Sequence, residues 1–202
     1  MLLIGLLFCQ SRWTVDDDSR GADFADLPVA VAAAADGDVL LVRPGTYTHF
    51  HLAGKGLSIV GEGSVRVDKP GVAGQVTEIS NVPEASPVLL EGLEFPGPAD
   101  CEETRIRITG ATTRATLIDV VAVGHLNICS AATSALSVSA AEVMLVRTTL
   151  TGGHGYVPFP NAGGDGGAAL RATSGARVYL VQAMLPRARG GGGGGGAAGG
   201  PR

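Results

Sequence analysis

Two arginines carry the clearest recurrent charge in this chain. Arg107 follows Ile106 and Arg171 follows Leu170 in comparable segments, with Ser137 at the matching place between them. On strands, all three side chains would point away from the core, the arginines two strands apart and so about 10 Å from each other. Guanidinium groups at that spacing suit alternate carboxylates of an acidic glycan, because their planar fork matches a carboxylate. The plainer reading is an outward strand position kept charged for solubility. Glu91 and Asp119 fall at one position of the repeat set out below, which would place a carboxylate pair on adjacent repeats or simply solvate an outer face. His49 and His51 flank Phe50 and face one side by alternation, where they could form a metal pair; without a third ligand nearby, two surface histidines are the expected reading. Asp16, Asp17 and Asp18, with Asp23, form an acidic turn able to hold a cation weakly. His154 sits in the glycine-rich stretch 152–167, where an outward loop is the default. Cys9, Cys101 and Cys129 have no metal-site spacing; Cys101 and Cys129 would pair with each other or remain buried thiols.

The elements that must position these residues follow from composition and period. With 202 residues, 45% hydrophobic but only 4% aromatic, the chain has length for one domain and few large rings to fill a thick core. Small aliphatic residues packed repetitively are the expected solution. Residues 1–100 hold six Lys/Arg against fourteen Asp/Glu and residues 101–202 nine against five, the latter all scattered arginines. No basic cluster with interleaved aromatics occurs, so nucleic acid is not an expected partner. Leu2–Phe8 is too short to span a bilayer and reads as a clipped signal peptide or an unpacked start over 1–13. Residues 189–202 form a glycine-rich tail holding nine of the 31 glycines, with the look of a truncation after which further repeats would follow.

A helix is expected over 27–35, where Asp26 is the N-cap, Pro28 lies in the first turn and Gly37 ends the Ala-rich run. From Val39 onward, short apolar runs alternate with turn residues, predicting strands. The strongest signal is internal repetition. Val88-x-Leu90-x-x-Leu93-x-Phe95 aligns with Thr116-x-Ile118-x-x-Val121-x-Val123, Val143-x-Leu145-x-x-Thr148-x-Leu150 and Val178-x-Leu180-x-x-Ala183-x-Leu185. A second strand, Ile106-x-Ile108, Leu136-x-Val138 and Leu170-x-Ala172, accompanies three of the copies. Stacking such repeats gives an all-β solenoid with parallel sheets over 14–188.

The stretch from Gly21 to Gly63 resembles the N-terminal opening of the pectate-lyase-like superfamily. Its marks are the capping helix, Gly37-Asp38 before a strand, Pro44-Gly45-Thr46-Tyr47, and Lys55-Gly56-Leu57 leading to Ile59-Val60-Gly61. The resemblance implies a single-stranded right-handed parallel β-helix behind a short N-terminal capping α-helix, of secreted bacterial type. Such families include polysaccharide lyases, hydrolases and esterases beside surface proteins without assigned activity. Gly153-His154-Gly155 is similar to the Gly-His-Gly element of β-helical polygalacturonases, but the paired aspartates and the basic motif of that site do not accompany it. The resemblance also brings in Ca²⁺, which β-helical lyases hold through grouped carboxylates; Asp100, Glu102, Glu103 and Asp165 are dispersed here. The expectation is therefore a non-catalytic extracellular or cell-surface protein that requires no cofactor. Arg107, Ser137 and Arg171 would contact polysaccharide or cell-envelope components. The alternative is a fragment of a carbohydrate-active enzyme, with His154, Asp119 and Glu91 as its candidates. An end repeat without a polar cap is expected to fray or self-associate.

Overall fold

A computed structural model describes residues 10–69, 76–96, 104–124, 133–153 and 167–186. The described part is mostly β with one helix. The elements are β1 (Arg12–Val15), α1 (Leu27–Ala33), β2 (Val39–Val42), β3 (Gly45–Tyr47), β4 (His51–Ala53), β5 (Ser58–Val67), β6 (Thr77–Ser80), β7 (Val88–Phe95) and β8 (Thr104–Thr109). They continue with β9 (Arg114–Ile118), β10 (Val121–Val123), β11 (Ser134–Ser139), β12 (Glu142–Val146), β13 (Thr149–Thr151), β14 (Leu170–Thr173) and β15 (Arg177–Val181).

Two wholly parallel sheets share these strands. The longer runs β1-β2-β5-β7-β9-β12-β15, with β3, β10 and β13 joined along a second leg; the shorter runs β4-β6-β8-β11-β14. In the strand order of the described residues, neither sheet closes on itself. Parallel register stacks like side chains. Trp13, Leu40, Ile59, Leu90, Leu117, Leu145 and Leu180 are successive partners along the longer sheet. In the shorter sheet Leu52, Ile79, Ile108, Val138 and Ala172 do the same. Both files face a common core, in which Leu90, Leu117, Leu145, Ile79 and Ile108 have no solvent exposure. Each such side chain contributes roughly 1.5–3 kcal/mol by leaving water.

One copy of the expected repeat is misaligned by a residue. Leu90 partners Leu117, not Ile118, and Val88 partners Ala115, not Thr116. The segment Ala115–Val123 satisfies both alternations. Packing chose the set with Val120 and Ala122 fully buried, leaving Val121 exposed. With that shift, Glu91 partners Ile118, so Glu91 and Asp119 do not share a register position.

The bends between legs are built from left-handed backbone. Gly92, Asp119, Arg147 and Gln182 end the first leg in successive repeats with φ of +65°, +52°, +48° and +54°. Non-glycine residues seldom occupy this region. The ladder runs on through the bend, with Asp119 N–H donating to Val146 O at 3.0 Å and Arg147 N–H to Val181 O at 2.9 Å. A second such row, Asn81, Gly110, Ala140 and Ser174, closes the shorter sheet.

The helix is shorter than the sequence predicts, ending at Ala33 with Ala34 extended. Asp26 caps it as expected, accepting from Leu27 N–H, and it also accepts from the Thr48 N–H and hydroxyl. Asp38 takes the chain out of the helix: its carboxylate accepts from Ala35 N–H, Trp13 Nε1 and Ser11 N–H. Leu27, Ala30, Val31 and Ala34 form the buried stripe predicted for them, and the helix packs on β4 and β1. Among the described residues no helix is long and apolar enough to cross a membrane.

Candidate functional site

The outer face of the shorter sheet gathers the polar side chains into rows. Parallel register places His51, Glu78, Arg107, Ser137 and Arg171 side by side on β4, β6, β8, β11 and β14. The expected alignment of Arg107, Ser137 and Arg171 therefore holds, two strand spacings separating the arginines, about 10 Å. Two residues along, Ser80, Thr109, Ser139 and Thr173 form a parallel row of hydroxyls. The outer face of the longer sheet is mixed: Leu41, Val60, Glu91, Ile118 and Val146 form one row, and Arg114, Glu142 and Arg177 another.

The two arginines differ electrostatically. Arg107 NH1 lies 3.9 Å from Glu78 Oε2, a half-exposed pair that partly offsets its charge. Arg171 is exposed and forms no ion pair with a described residue. At that end the row is cationic; toward β6 it is close to neutral.

Beside the row, toward the starts of the strands, lies a buried polar cluster. His49 is 7% exposed, its Nδ1 2.9 Å from Thr77 Oγ1 and its Nε2 3.4 Å from Arg105 NH1. Arg105 is equally buried, with NH2 3.6 Å from the Asp68 carboxylate. Burial, helped by the Arg105 charge, pushes His49 down to about 3, so its ring is neutral in the folded protein. The expectation of two surface histidines holds for His51 and fails for His49, which later segments cover, and the two do not form a metal pair. His51 is exposed in the outer row, whereas both ring nitrogens of His49 are engaged inside.

The carboxylates offered for acid and base work are placed elsewhere. Asp119 is held bidentately by Arg147, with Oδ1 2.8 Å from Nε and Oδ2 2.6 Å from NH2. Those hydrogen bonds hold its carboxyl below the usual range. Asp16 pairs with Arg43 at 2.9 Å, and Asp23 accepts from the Thr14 N–H and hydroxyl, so the acidic turn is internally hydrogen-bonded. Among the described residues, no three His, Cys, Asp or Glu side chains converge. His154, His125, Cys9, Cys101, Cys129, Asp100, Glu102, Glu103 and Asp165 lie outside the described residues.

Grooves on the surface of the described residues include two. The larger, about 620 Å³, runs beside Gln10, Asp36, Gly56 and Ser86. Asp36 there already accepts from Gly56 N–H and the Ser86 hydroxyl, both at 2.7 Å. Gly56 is required at this bend, since a Cβ would come within 2.0 Å of Ser86 O. The smaller, about 290 Å³, follows Glu84, Arg114, Glu142 and Arg177, charges that alternate in sign along the repeats. Arg114 NH2 lies 2.7 Å from Glu84, and Glu142 is the register partner of both arginines. Neither groove adjoins the arginine row.

Compared with protein-family models, curated proteins and solved structures, the chain matches none.

Sequence reasoning reached Arg107, Ser137 and Arg171 because Ile and Leu at fixed offsets flag their strands. The places of Glu78, His51 and Ser80 in these rows escaped it: β4 and β6 are short and carry no copy of the long motif. Their one signal was polar alternation around Leu52 and Ile79.

Proposed function

We propose that the chain winds as a right-handed parallel β-helix. In this reading it is a non-catalytic extracellular or cell-surface protein, of the kind its opening segment resembles, that binds acidic polysaccharide along the outer face of the shorter sheet. The observation carrying this reading is the row Arg107–Ser137–Arg171 in register beside Thr109–Ser139–Thr173. Parallel strands that alternate between two sheets and return to partner their equivalents are what a β-helix requires. A strand-borne array is rigid before binding, so little order has to be imposed when an extended polymer lies across it. Guanidinium groups meet carboxylates, and the neighbouring hydroxyls meet sugar hydroxyls.

The test is a binding series with polygalacturonate, alginate and a neutral glucan. Acidic chains should bind and the neutral one should not. Each lost charge-assisted contact is worth about 1.5 kcal/mol or more, so Arg107→Ala/Arg171→Ala should weaken binding by at least about a hundredfold. Arg171→Ala alone should cost more than Arg107→Ala, because Glu78 already offsets Arg107. Unchanged binding in the double variant removes the proposed site. Release of unsaturated products or new reducing ends, abolished by His154→Ala, would replace this reading with that of a carbohydrate-active enzyme fragment.

A further inference from the structure

We infer that His51 makes the arginine row pH-dependent: its protonation weakens the hold of Glu78 on Arg107 and strengthens capture of an acidic polysaccharide as pH falls. The inference rests on the reading of the shorter sheet proposed above. Its basis is the order of charge along the row. His51, Glu78 and Arg107 are successive register partners on β4, β6 and β8, so Glu78 stands one strand spacing, about 4.8 Å, from each. Toward Arg107 its carboxylate reaches 3.9 Å. On its other side stands an exposed imidazole, on the strand that ends the sheet. Glu78 is the negative member of a row otherwise neutral or cationic.

Of the side chains in this row, histidine is the type that changes charge between pH 5 and 8, a range in which carboxylates of the protein and of a uronate polymer stay ionised. A charged imidazole beside Glu78 competes with Arg107 for its oxygens. It also adds to the field of the row. With Glu78 negative and Arg107 and Arg171 positive, the row carries one net positive charge, and protonation makes it two.

Few groups face His51. From β6 comes Glu78. Helix α1, which also packs on β4, carries no titratable residue between Leu27 and Ala33, and Asp26 at its cap is engaged by Thr48 and Lys69. Two residues before His51, the His49 ring is enclosed and neutral. The connection 70–75 into β6 contains only Pro, Gly, Val, Ala and Gln. Replacing Glu78 separates its effect from that of Asp100, Glu102 and Glu103, which precede β8 in the chain. The coupling is reciprocal: a polymer held more tightly by the protonated form raises the affinity of His51 for its proton by the same factor.

Polygalacturonate binding at constant ionic strength, at pH 8 and pH 5, tests this. The unaltered chain should bind about two- to fivefold more tightly at the lower pH, the scale of exposed ion pairs. His51→Gln should abolish that gain. Glu78→Gln should tighten binding at pH 8 and leave a smaller gain. NMR titration reads the pair without polymer. The His51 resonance, identified by its loss in His51→Gln, should have its midpoint lowered by a few tenths of a pH unit in Glu78→Gln. Saturating polygalacturonate should raise that midpoint in the unaltered chain by about 0.3–0.7 unit. Far-UV circular dichroism at both pH values shows whether each variant keeps its strands; if Glu78→Gln unfolds, the His51→Gln series decides. Equal binding at both pH values, a gain that survives in His51→Gln, or a midpoint unmoved in folded Glu78→Gln overturns the inference and leaves the polysaccharide reading standing. Absence of polygalacturonate binding at both pH values overturns both.

Discussion

The two ends of the sheets are made from the same kind of strand and finish differently. At the β1 end, residues outside the repeat close the structure. Asp38 ties Ser11, Trp13 and Ala35 together, Phe24 and Asp23 take up the backbone of Thr14, and α1 buries Leu27, Ala30 and Val31. At the β15 end of the described residues, the inward Leu180 is half exposed. Repetition propagates a sheet because every strand offers its successor the same edge and file. It contains nothing that ends one, so termination needs residues that break the pattern.

The contrast can be broken most strongly in the aliphatic file. Leu117→Ala should destabilise by about 2–5 kcal/mol, because neighbours above and below hold the cavity open. Leu180→Ala, in the half-exposed last described strand, should cost less than about 1 kcal/mol. Urea unfolding of both variants checks this; equal losses would mean the last strand is as well packed as the middle.

Acid tests the part between the ends. His49 accepts a proton near 3 when folded and 6.5 when unfolded. Between those values the unfolded chain binds the extra proton, so stability is complete above pH 6.5 and falls toward pH 3. The slope is at most about 1.4 kcal/mol per pH unit. Urea midpoints across this range should flatten in His49→Gln after the contribution of other groups is subtracted through the shared baseline. An unchanged slope would mean that the cluster admits water.

Asp38→Ala should sharpen the difference between ends by loosening the closed one. Three donors lose their acceptor, at a cost of roughly 1–3 kcal/mol, and Trp13 fluorescence should shift to the red. Desolvation raises this carboxyl, but the bonds from Trp13, Ala35 and Ser11 outweigh it and the net shift is downward. Its contribution is therefore present above the ordinary value of 3.8 and is lost as pH falls through the lower folded value. The smallest effect is expected at the outer bend. Asp119→Asn keeps a residue tolerant of the left-handed φ and removes an exposed ion pair with Arg147, so the urea midpoint should barely move. A larger loss would show that this pair, rather than the backbone, holds the bend.

Much of this was legible in the chain. Helix α1 announced itself through Asp26, Pro28 and its apolar stripe, and the strand pairs around Ile106, Leu136 and Leu170 through their spacing. Those signals survive translation into structure because capping and alternation are local properties of the backbone. Register around Ala115–Val123 was not legible, since two interleaved sets of small apolar residues alternate equally well there. Only the volume available inside separated Val120 and Ala122 from Val121. Burial of His49 and Arg105 was also invisible, because neither residue type nor period distinguishes an outer strand position from one that other segments cover. By itself, then, the sequence determined a mostly β chain of parallel repeats behind one helix, with Arg107, Ser137 and Arg171 on a common row. Tertiary structure alone decided which residues partner across strands and which histidine is enclosed, because these depend on contacts between segments far apart in the chain.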